Sequence, residues 1–555
     1  MSATALHRAS YFEYRPYPFV TPPELSGGAP RHDVAIVGAG PVGLAVALDL
    51  AVRGVRSVVV TDGDTESPGS RAACISRRSM EILQQIGCID AFEAVALPWT
   101  SGTSFFRGRP IYRLEMPHSR DERYFPMANL QQNLLERIML QRAAATGLVE
   151  MRWRSRVTGL RQDGTGVVLQ VQTPAGGYDL QAAYAVAADG ARSTMRKLLD
   201  LGLSGTSYSG RYLIADIHMQ SRSPTERRAW FDSEANRGST VLMHRQPHDI
   251  WRVDYQLRDG DDSDAEMQEP RLRRRIQEVL DMAGETAPWE LDWVSLYSAH
   301  CLCLESYLHD RVVFVGDAAH LVPIFGVRGL NSGLADANNL GWKLAAVLDG
   351  SAPATLLQSY SAERRAATLD IFQEAGKSTR FMTPPTRGYR LLRRAALSLS
   401  LSEGWAGALA NPRQSTAFTY AESPLNVWPE GEADFRAGPA AGSPLCSVRL
   451  DEGFLHDRLG TRALLLYFAG DGDEREMLAD LTAVADAKTA DLLVVDGEGA
   501  AGLADPDGRI AAAYDAAPGT LYLVRPDWHV AGRTRRRPDR ASIAAAMDRI
   551  RGTHA

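Results

Sequence analysis

Residues 34–62 read VAIVGAGPVGLAVALDLAVRGVRSVVVTD, and the fold turns on this stretch. Residues 34–37 are a short apolar run suited to a strand buried on both faces. Gly38, Gly40 and Gly43 follow at G-x-G-x-x-G spacing. The first lets the chain turn sharply, the second leaves room for a pyrophosphate against the backbone, and the third lets helix and strand pack closely. The helix opening there aims N–H groups and its positive dipole end at the phosphates. The glycines alone signal little. Framed by strand, turn, helix and second strand, they specify a dinucleotide-binding βαβ unit. The acid expected to accept from a ribose hydroxyl comes at Asp62, one place after Thr61.

The remaining sequence sets bounds on this reading. At 555 residues the chain holds about three domains' worth of sequence, with an ordinary globular balance of 45% hydrophobic and 23% charged residues. A formal net charge of −6 gives no reason to expect nucleic acid or a membrane surface as partner. Cys74, Cys88, Cys301, Cys303 and Cys446 are too few and too scattered for a disulfide framework. Cys301 and Cys303 would share one strand face and lack a second pair for zinc, so they read as core thiols and no metal site is expected. The N-terminus has no apolar core of a secretory signal. The longest apolar run is the βαβ segment, broken by glycines and Asp49, whereas a membrane span needs about 20 apolar residues. A cytoplasmic protein is expected.

Along the chain, residues 1–31 are rich in proline and aromatics and should drape over the surface. Helical patterns are expected over residues 71–85 and 130–145, and alternating strands over 149–188. Residues 208–300 are strand-rich and aromatic, the composition of a sheet walling an apolar pocket. Residues 311–350 return to α/β character, 355–412 look helical, and 413–442 read as a linker. The last residues, 443–555, alternate strand and helix patterns as a small α/β domain. Gly497, Gly499 and Gly502 repeat the glycine spacing there, but helix breakers follow, so a surface loop is expected. The basic run RTRRRPDR, residues 533–540, reads as a solvated segment.

Three further stretches add chemistry. AADGARSTMRK places Asp189-Gly190 at a strand end. VGDAAHLVPIFGVRGLNSGLADANNLGWKL places Asp317 at a strand end and opens a helix at Gly329, Leu330 and Asn331. Arg71 follows the βαβ unit, and Gln132 lies on a later helix. In this order, with GAGPVG, they resemble the single-component FAD-dependent aromatic hydroxylases of the p-hydroxybenzoate hydroxylase superfamily. The likeness is to the phenol hydroxylase and 3-(3-hydroxyphenyl)propionate hydroxylase branch and covers roughly residues 32–400. PGTLYLVRPD near the C-terminus resembles that branch's thioredoxin-like domain, here without a C-x-x-C for redox exchange.

The resemblance implies an α/β fold: a Rossmann-type FAD-binding domain (32–207 and 301–412) interleaved with a β-sheet substrate domain (208–300). A thioredoxin-like domain (443–555) follows the 413–442 linker. It implies that Gly38, Gly40 and Gly43 hold the FAD pyrophosphate and Asp62 the adenosine ribose. Arg71 and Gln132 would meet the ribityl–pyrophosphate portion. Asp189 would lie near FAD and the passing nicotinamide, and Asp317 would bond a ribityl hydroxyl. Amides of Leu330 and Asn331, at the helix start after Gly329, would face the pyrimidine end and stabilise anionic reduced flavin. NADPH or NADH would reduce the flavin, and O₂ would form a C4a-hydroperoxide that hydroxylates a phenolic substrate. A homodimer is also implied.

Two departures mark the pocket. After His320, itself read as structural, Ile324 replaces a proline of relatives and Val327-Arg328 replace smaller residues. Ala72 and Ala73 stand where some phenol-hydroxylating relatives carry the substrate base. His244, Arg245 and Tyr255 on HRQPHDIWRVDYQL are the candidate replacements, since His or Tyr can relay a proton and Arg can pair with phenolate. Alternatives on the same scaffold are a tailoring oxygenase performing epoxidation or Baeyer–Villiger insertion on a polycyclic natural product, and a non-oxygenating FAD-binding protein.

Overall fold

The computed structural model describes residues 11–28, 30–258, 260–323, 326–410, 416–470, 474–497 and 501–553; Ile324 and Gly499 lie outside them. The βαβ unit forms as the sequence dictates. Arg31–Val37, Pro41–Val52 and Ser57–Val60 are strand, helix and strand, and the two strands pair in parallel. They belong to a sheet ordered Leu308–His309, Val312–Phe314, Gly176–Ala187, Arg31–Val37, Ser57–Val60, Val149–Arg152, with Arg156–Gln162 and Val167–Thr173 joined as a hairpin. Pro41–Val52 is apolar nearly all round and almost wholly buried, as a helix inside a core must be. It crosses the Gly329–Leu348 helix so closely that a Cβ on Gly341 would lie 2.1 Å from Asp49 Oδ1 and one on Gly333 2.4 Å from Val42.

A second eight-stranded sheet runs His320–Leu321, Trp289–Cys303, Ser204–Met219, Ile250–Gln256, Thr240–Arg245, Arg227–Phe231, Ser101–Phe106, Arg109–Glu115. Two of its strands come from residues 101–115 and its long central strand starts at Ser204, so the sheet reaches outside the 208–300 span that aromatic composition marks. The short 101–115 strands alternate weakly and carry no run of β-branched residues to announce them. One face packs on the Glu269–Ala283 helix through Leu213, Val253, Tyr255, Leu272 and Ile276. The other packs Tyr212, Phe231 and Leu242 on Met382 and Leu397 and turns Arg252 and His244 toward Arg71 and Cys74.

The C-terminal sheet is ordered Gly502–Leu503, Asp491–Val495, Leu464–Phe468, Leu521–Val524, Val530–Thr534. Gly502–Leu503, Asp491–Val495 and Leu464–Phe468 run parallel, and the remaining two pairings are antiparallel. Helices Arg475–Ala487 and Arg540–Ile550 cover one face. Gly502 lies in an edge strand rather than a loop.

Four local expectations are refined. Residues 71–85 split into a strand, Cys74–Ser76, and a helix, Arg77–Gln85, because Ser76 caps the helix by accepting from Ser79 N–H. The basic run is solvated only in its second half: Arg536, Arg537 and Arg540 are exposed, whereas Arg533 is buried, pairs with Glu432 at 2.9 Å and stacks over Phe435, and Arg535 pairs with Asp515. The described part of the linker is packed, with Tyr420, Leu425 and Val427 buried and Val427 N–H bonded to Ala531 C=O at 2.8 Å. The N-terminal aromatics do more than drape. Phe12 is buried, Tyr17 stacks on Trp153 at 4.4 Å, and Tyr14 accepts from Gly69 N–H.

Candidate functional site

The candidate cleft, where Arg252 of the second sheet reaches Arg71 C=O, begins at the glycine turn. Gly38 has φ +112°, and a Cβ there would sit 2.3 Å from Ala188 C=O; one on Gly43 would sit 2.1 Å from Gly38 C=O. These two glycines are required by the chain itself. A Cβ on Gly40 meets nothing within 4 Å, so its smoothness serves something outside the chain. The helix after it has no side-chain cap. Together these make a cradle for a phosphate.

Around the cradle, Asp189 accepts from Met195 N–H at 3.0 Å through one carboxylate oxygen, while the other is buried with no partner among the described residues. A buried acceptor without a donor is a place for a ligand hydroxyl. Asp317 is open to the cleft on one side. Protein crowding on its other sides pushes its carboxyl above the usual range, against the pull of His320 and Arg71. Arg71, exposed and with φ +30°, has a guanidinium that makes no ion pair among the described residues.

Gln132 is less available. Its Oε1 accepts from Ala72 N–H at 3.3 Å and its Nε2 donates to Glu136 at 2.8 Å, so it fixes the backbone beside Arg71. Asp62 is exposed at the strand exit, 4.0 Å from Arg156.

The Gly329–Leu348 helix also starts without a side-chain cap. The Asn331 side chain ties its first turn down. It accepts from Ser76 N–H at 2.9 Å and donates to Cys74 C=O at 3.1 Å and Val327 C=O at 2.6 Å. His320 is buried and structural: its Nε2 lies 2.7 Å from Asp336, which also accepts from Gly316 N–H and Arg364. Burial pushes Asp336 up, but His320 and Arg364 outweigh it and hold the carboxyl below its ordinary value.

The second sheet supplies the opposite wall, and strand alternation decides which side chains reach it. Register pairs His244 with Arg252 and Arg252 with Asp216. Asp254 lies across from Leu242 and Ile214. These residues share the face toward the cleft: Arg252 bonds to Arg71 C=O and Ser70, and His244 Nδ1 lies 3.7 Å from Cys74 Sγ. Tyr255 and Arg245 are corrected by the same alternation. Tyr255 packs on the helix-covered face with its hydroxyl buried, and Arg245 pairs with Asp249 at 2.7 Å beside Trp251. Of the three candidates only His244 faces the cleft. Burial, then Arg252 and Arg227, hold its imidazole well below the usual histidine range. The charged residues that sequence reasoning passed over are Asp216, Arg227, Arg252 and Asp254. Period two on IWRVDYQ, with Trp251, Val253 and Tyr255 on one face and Arg252 and Asp254 on the other, carried that signal.

A glycine that a ligand alone explains, an orphaned acceptor, a cleft-facing acid and two uncapped helix starts fit a large dinucleotide such as FAD. Comparison with known proteins agrees. The family model described as "FAD binding domain" matches residues 31–375. A Streptomyces rimosus 12-dehydrotetracycline 5-monooxygenase/anhydrotetracycline 6-monooxygenase is 30% identical over 517 residues, 90% of this chain and 95% of that one. A Mycolicibacterium smegmatis 3-(3-hydroxy-phenyl)propionate/3-hydroxycinnamic acid hydroxylase is 31% identical over 65% of this chain and 63% of its own length. Among solved structures, the flavin-dependent monooxygenase PieE in complex with FAD and substrate superposes with TM-score 0.78 at 25% identity, covering 94% of this chain and 99% of that one. The chain therefore belongs to the FAD-binding-domain family of flavoprotein monooxygenases, within the FAD-dependent aromatic hydroxylase superfamily.

Proposed function

We propose that this enzyme hydroxylates a phenolic aromatic compound at the expense of O₂ and NADPH or NADH. The observation that carries this is the charged, cleft-facing row on the second sheet, His244, Arg252 and Asp216 with Asp254 beside it, opposite the FAD cradle. Such a row suits a substrate with an ionisable hydroxyl better than a purely apolar one. FAD, when bound, supplies the hydride-accepting and oxygen-activating chemistry.

The chain's own residues do the rest. Gly38, Gly40 and Gly43 with the following helix start hold the pyrophosphate, and Asp317, Arg71 and Asp189 take polar groups along the cofactor. Asp62, at the strand exit, is assigned the ribose. The start of the Gly329–Leu348 helix, at Leu330 and Asn331, puts about half a positive charge toward the cofactor's anionic end. The covering sheet excludes water from the reacting centre. Gln132 serves indirectly, by fixing the Ala72 backbone. His244, kept neutral, orients rather than ionises.

Relatives that match along nearly the whole chain are named for tetracyclines, so the substrate panel runs from single-ring to fused-ring phenols. We further infer a homodimer, which sedimentation tests, and a reducing compartment, supported by five unpaired cysteines. The deciding experiment is anaerobic: FAD-loaded protein is mixed with NADPH or NADH, and flavin bleaching is followed with and without each phenol. A phenol that accelerates bleaching, and that gains one oxygen atom in air, supports the assignment. If no phenol does either, the assignment fails.

A further inference from the structure

Two charged side chains on the cleft face of the second sheet make no ion pair among the described residues. Arg227 begins the Arg227–Phe231 strand, beside Gly102 in register. Its neighbour Arg228 points the other way and is paired with Glu226 at 3.1 Å and Glu285 at 3.8 Å. Arg227 makes no ion pair or side-chain hydrogen bond among the described residues, although burial depresses its basicity. Asp254, two strands away, is buried, and its Oδ1 is sealed from solvent with no partner among the described residues. The adjacent charges do not serve it: Arg252 is committed to Asp216, with Nε to Oδ1 at 2.9 Å and Nη2 to Oδ2 at 3.2 Å.

Leaving a buried acid and a half-buried base unpaired within the same wall is costly unless something else completes them. The wall they share faces Cys74, whose thiol both groups influence. Cys74 C=O is held by Asn331 at the start of the Gly329–Leu348 helix. The open pair therefore lies beside the Cys74 strand that the helix start assigned to the cofactor grips.

We propose that Asp254 and Arg227 form the seat for the substrate's acidic hydroxyl, Asp254 taking its proton and Arg227 holding the oxyanion left behind. This rests on the phenol-hydroxylase assignment above. The substrate O–H bond breaks and an O–H bond forms on the Asp254 carboxylate. The electron pair stays on the substrate oxygen, where the Arg227 N–H groups donate to it, and no electrons leave the pair. The ring thereby becomes a stronger nucleophile.

The surrounding charges suit this task. Burial pushes the Asp254 carboxyl up to about 6, with Arg252 and Arg227 pulling down and Asp216 pushing up. Above that pH it is an ionised base of raised proton affinity, close to the operating range. His244, Tyr212 and Cys74 also face this part of the wall. The first is held neutral by burial, and the other two have their protons held on by burial, so none competes as the base.

The test uses FAD-loaded protein, with p-nitrophenol as the binding probe because its phenolate is yellow, and a phenol found active above as substrate. In the wild type, the bound probe should ionise at least about tenfold more readily than in water, a shift of about one pH unit. R227M should abolish that shift and R227K should keep part of it. D254N should lower hydroxylation by about 10²–10⁴-fold and lose the rise in rate through the pH range near 6, while D254E restores both in part. Flavin content, read for each variant, separates these effects from misfolding. An active wild type whose D254N variant keeps rate and pH profile, or whose R227M variant keeps the probe's shift, overturns the assignment of these residues alone. A wild type that hydroxylates no phenol overturns the underlying function as well.

Discussion

At the scale of single residues, the glycine turn separates what the fold needs from what the ligand needs. A Cβ on Gly43 would collide with Gly38 C=O, whereas one on Gly40 meets open space. G43A should therefore destabilise the protein with or without FAD. G40A should leave the apoprotein's thermal stability unchanged and weaken FAD binding at least about tenfold, because a methyl occupies the pyrophosphate's approach. Thermal unfolding of apoprotein and FAD titration read the two effects separately. Val327 is the opposite case, a β-branched residue at φ +60°, where strain of about 1–3 kcal/mol is stored. Its carbonyl accepts from Asn331 and its side chain packs loosely beside Cys74, Trp99 and Met127. Alanine there would lose the packing and keep the strain; glycine loses the packing and releases the strain. V327G should equal or exceed V327A in stability, reversing the usual deficit of glycine of about 0.5–1 kcal/mol. Denaturation of the two variants side by side decides it.

At the scale of elements, the Gly329–Leu348 helix is useful only if its first turn stays aimed. Asn331 fixes it to two other pieces, the Cys74–Ser76 strand and the preceding loop. N331A would leave the buried Ser76 N–H without its acceptor and should cost about 1–3 kcal/mol. It should also disturb the bound flavin's absorbance and fluorescence, which a loss of stability elsewhere would not do. Much at this scale was legible in the sequence. The βαβ unit was, because its glycines sit at fixed offsets inside a strand–helix–strand pattern, and so were the exits at Asp189 and Asp317. The pocket wall was not. Its residues sit on separated strands, and which face Tyr255 or Asp254 takes is a matter of register between segments that no local pattern fixes. The role of Asn331 was visible only in part, since a helix start is local but the backbone its side chain grips lies some 255 residues away.

At the scale of the whole molecule, the C-terminal sheet is joined to the cleft by buried charge. Arg525, from that sheet's Leu521–Val524 strand end, grips Glu363 at 2.6 and 3.0 Å and Asp527 at 2.6 Å. Glu363 also accepts from Lys343 at 2.8 Å and Asn339 at 2.7 Å. The next residue, Arg364, holds Tyr420 and Asp336, and Asp336 in turn holds His320 and Gly316 N–H beside Asp317. The C-terminal unit is thus part of the frame that positions the loop carrying Asp317, a connection invisible in sequence because each charge comes from a distant segment. R525A removes the arginine shared by two buried carboxylates, leaving Glu363 to Lys343 and Asp527 to His529, and should cost about 3–5 kcal/mol, seen as a lower melting temperature and weaker FAD retention. Lys343 behaves differently. Burial lowers its pKa to about 8, outweighing the pull of Glu363, while Glu363 itself is held far below the usual carboxylate range because Arg525 and Lys343 together overcome its burial. The folded chain therefore sheds the lysine proton before the unfolded chain does, whose lysine titrates at about 10.4. Between these values the unfolded state binds more protons, so this lysine's contribution to stability rises with pH. K343M leaves Glu363 paired with Arg525 and should be far milder than R525A at neutral pH. It should also remove that rise, so melting temperatures of wild type and K343M, followed upward from neutral pH, should draw apart in favour of the wild type as the pH passes about 8. Parallel curves would mean that the lysine pKa is not lowered on folding, the pull of Glu363 fully offsetting its burial.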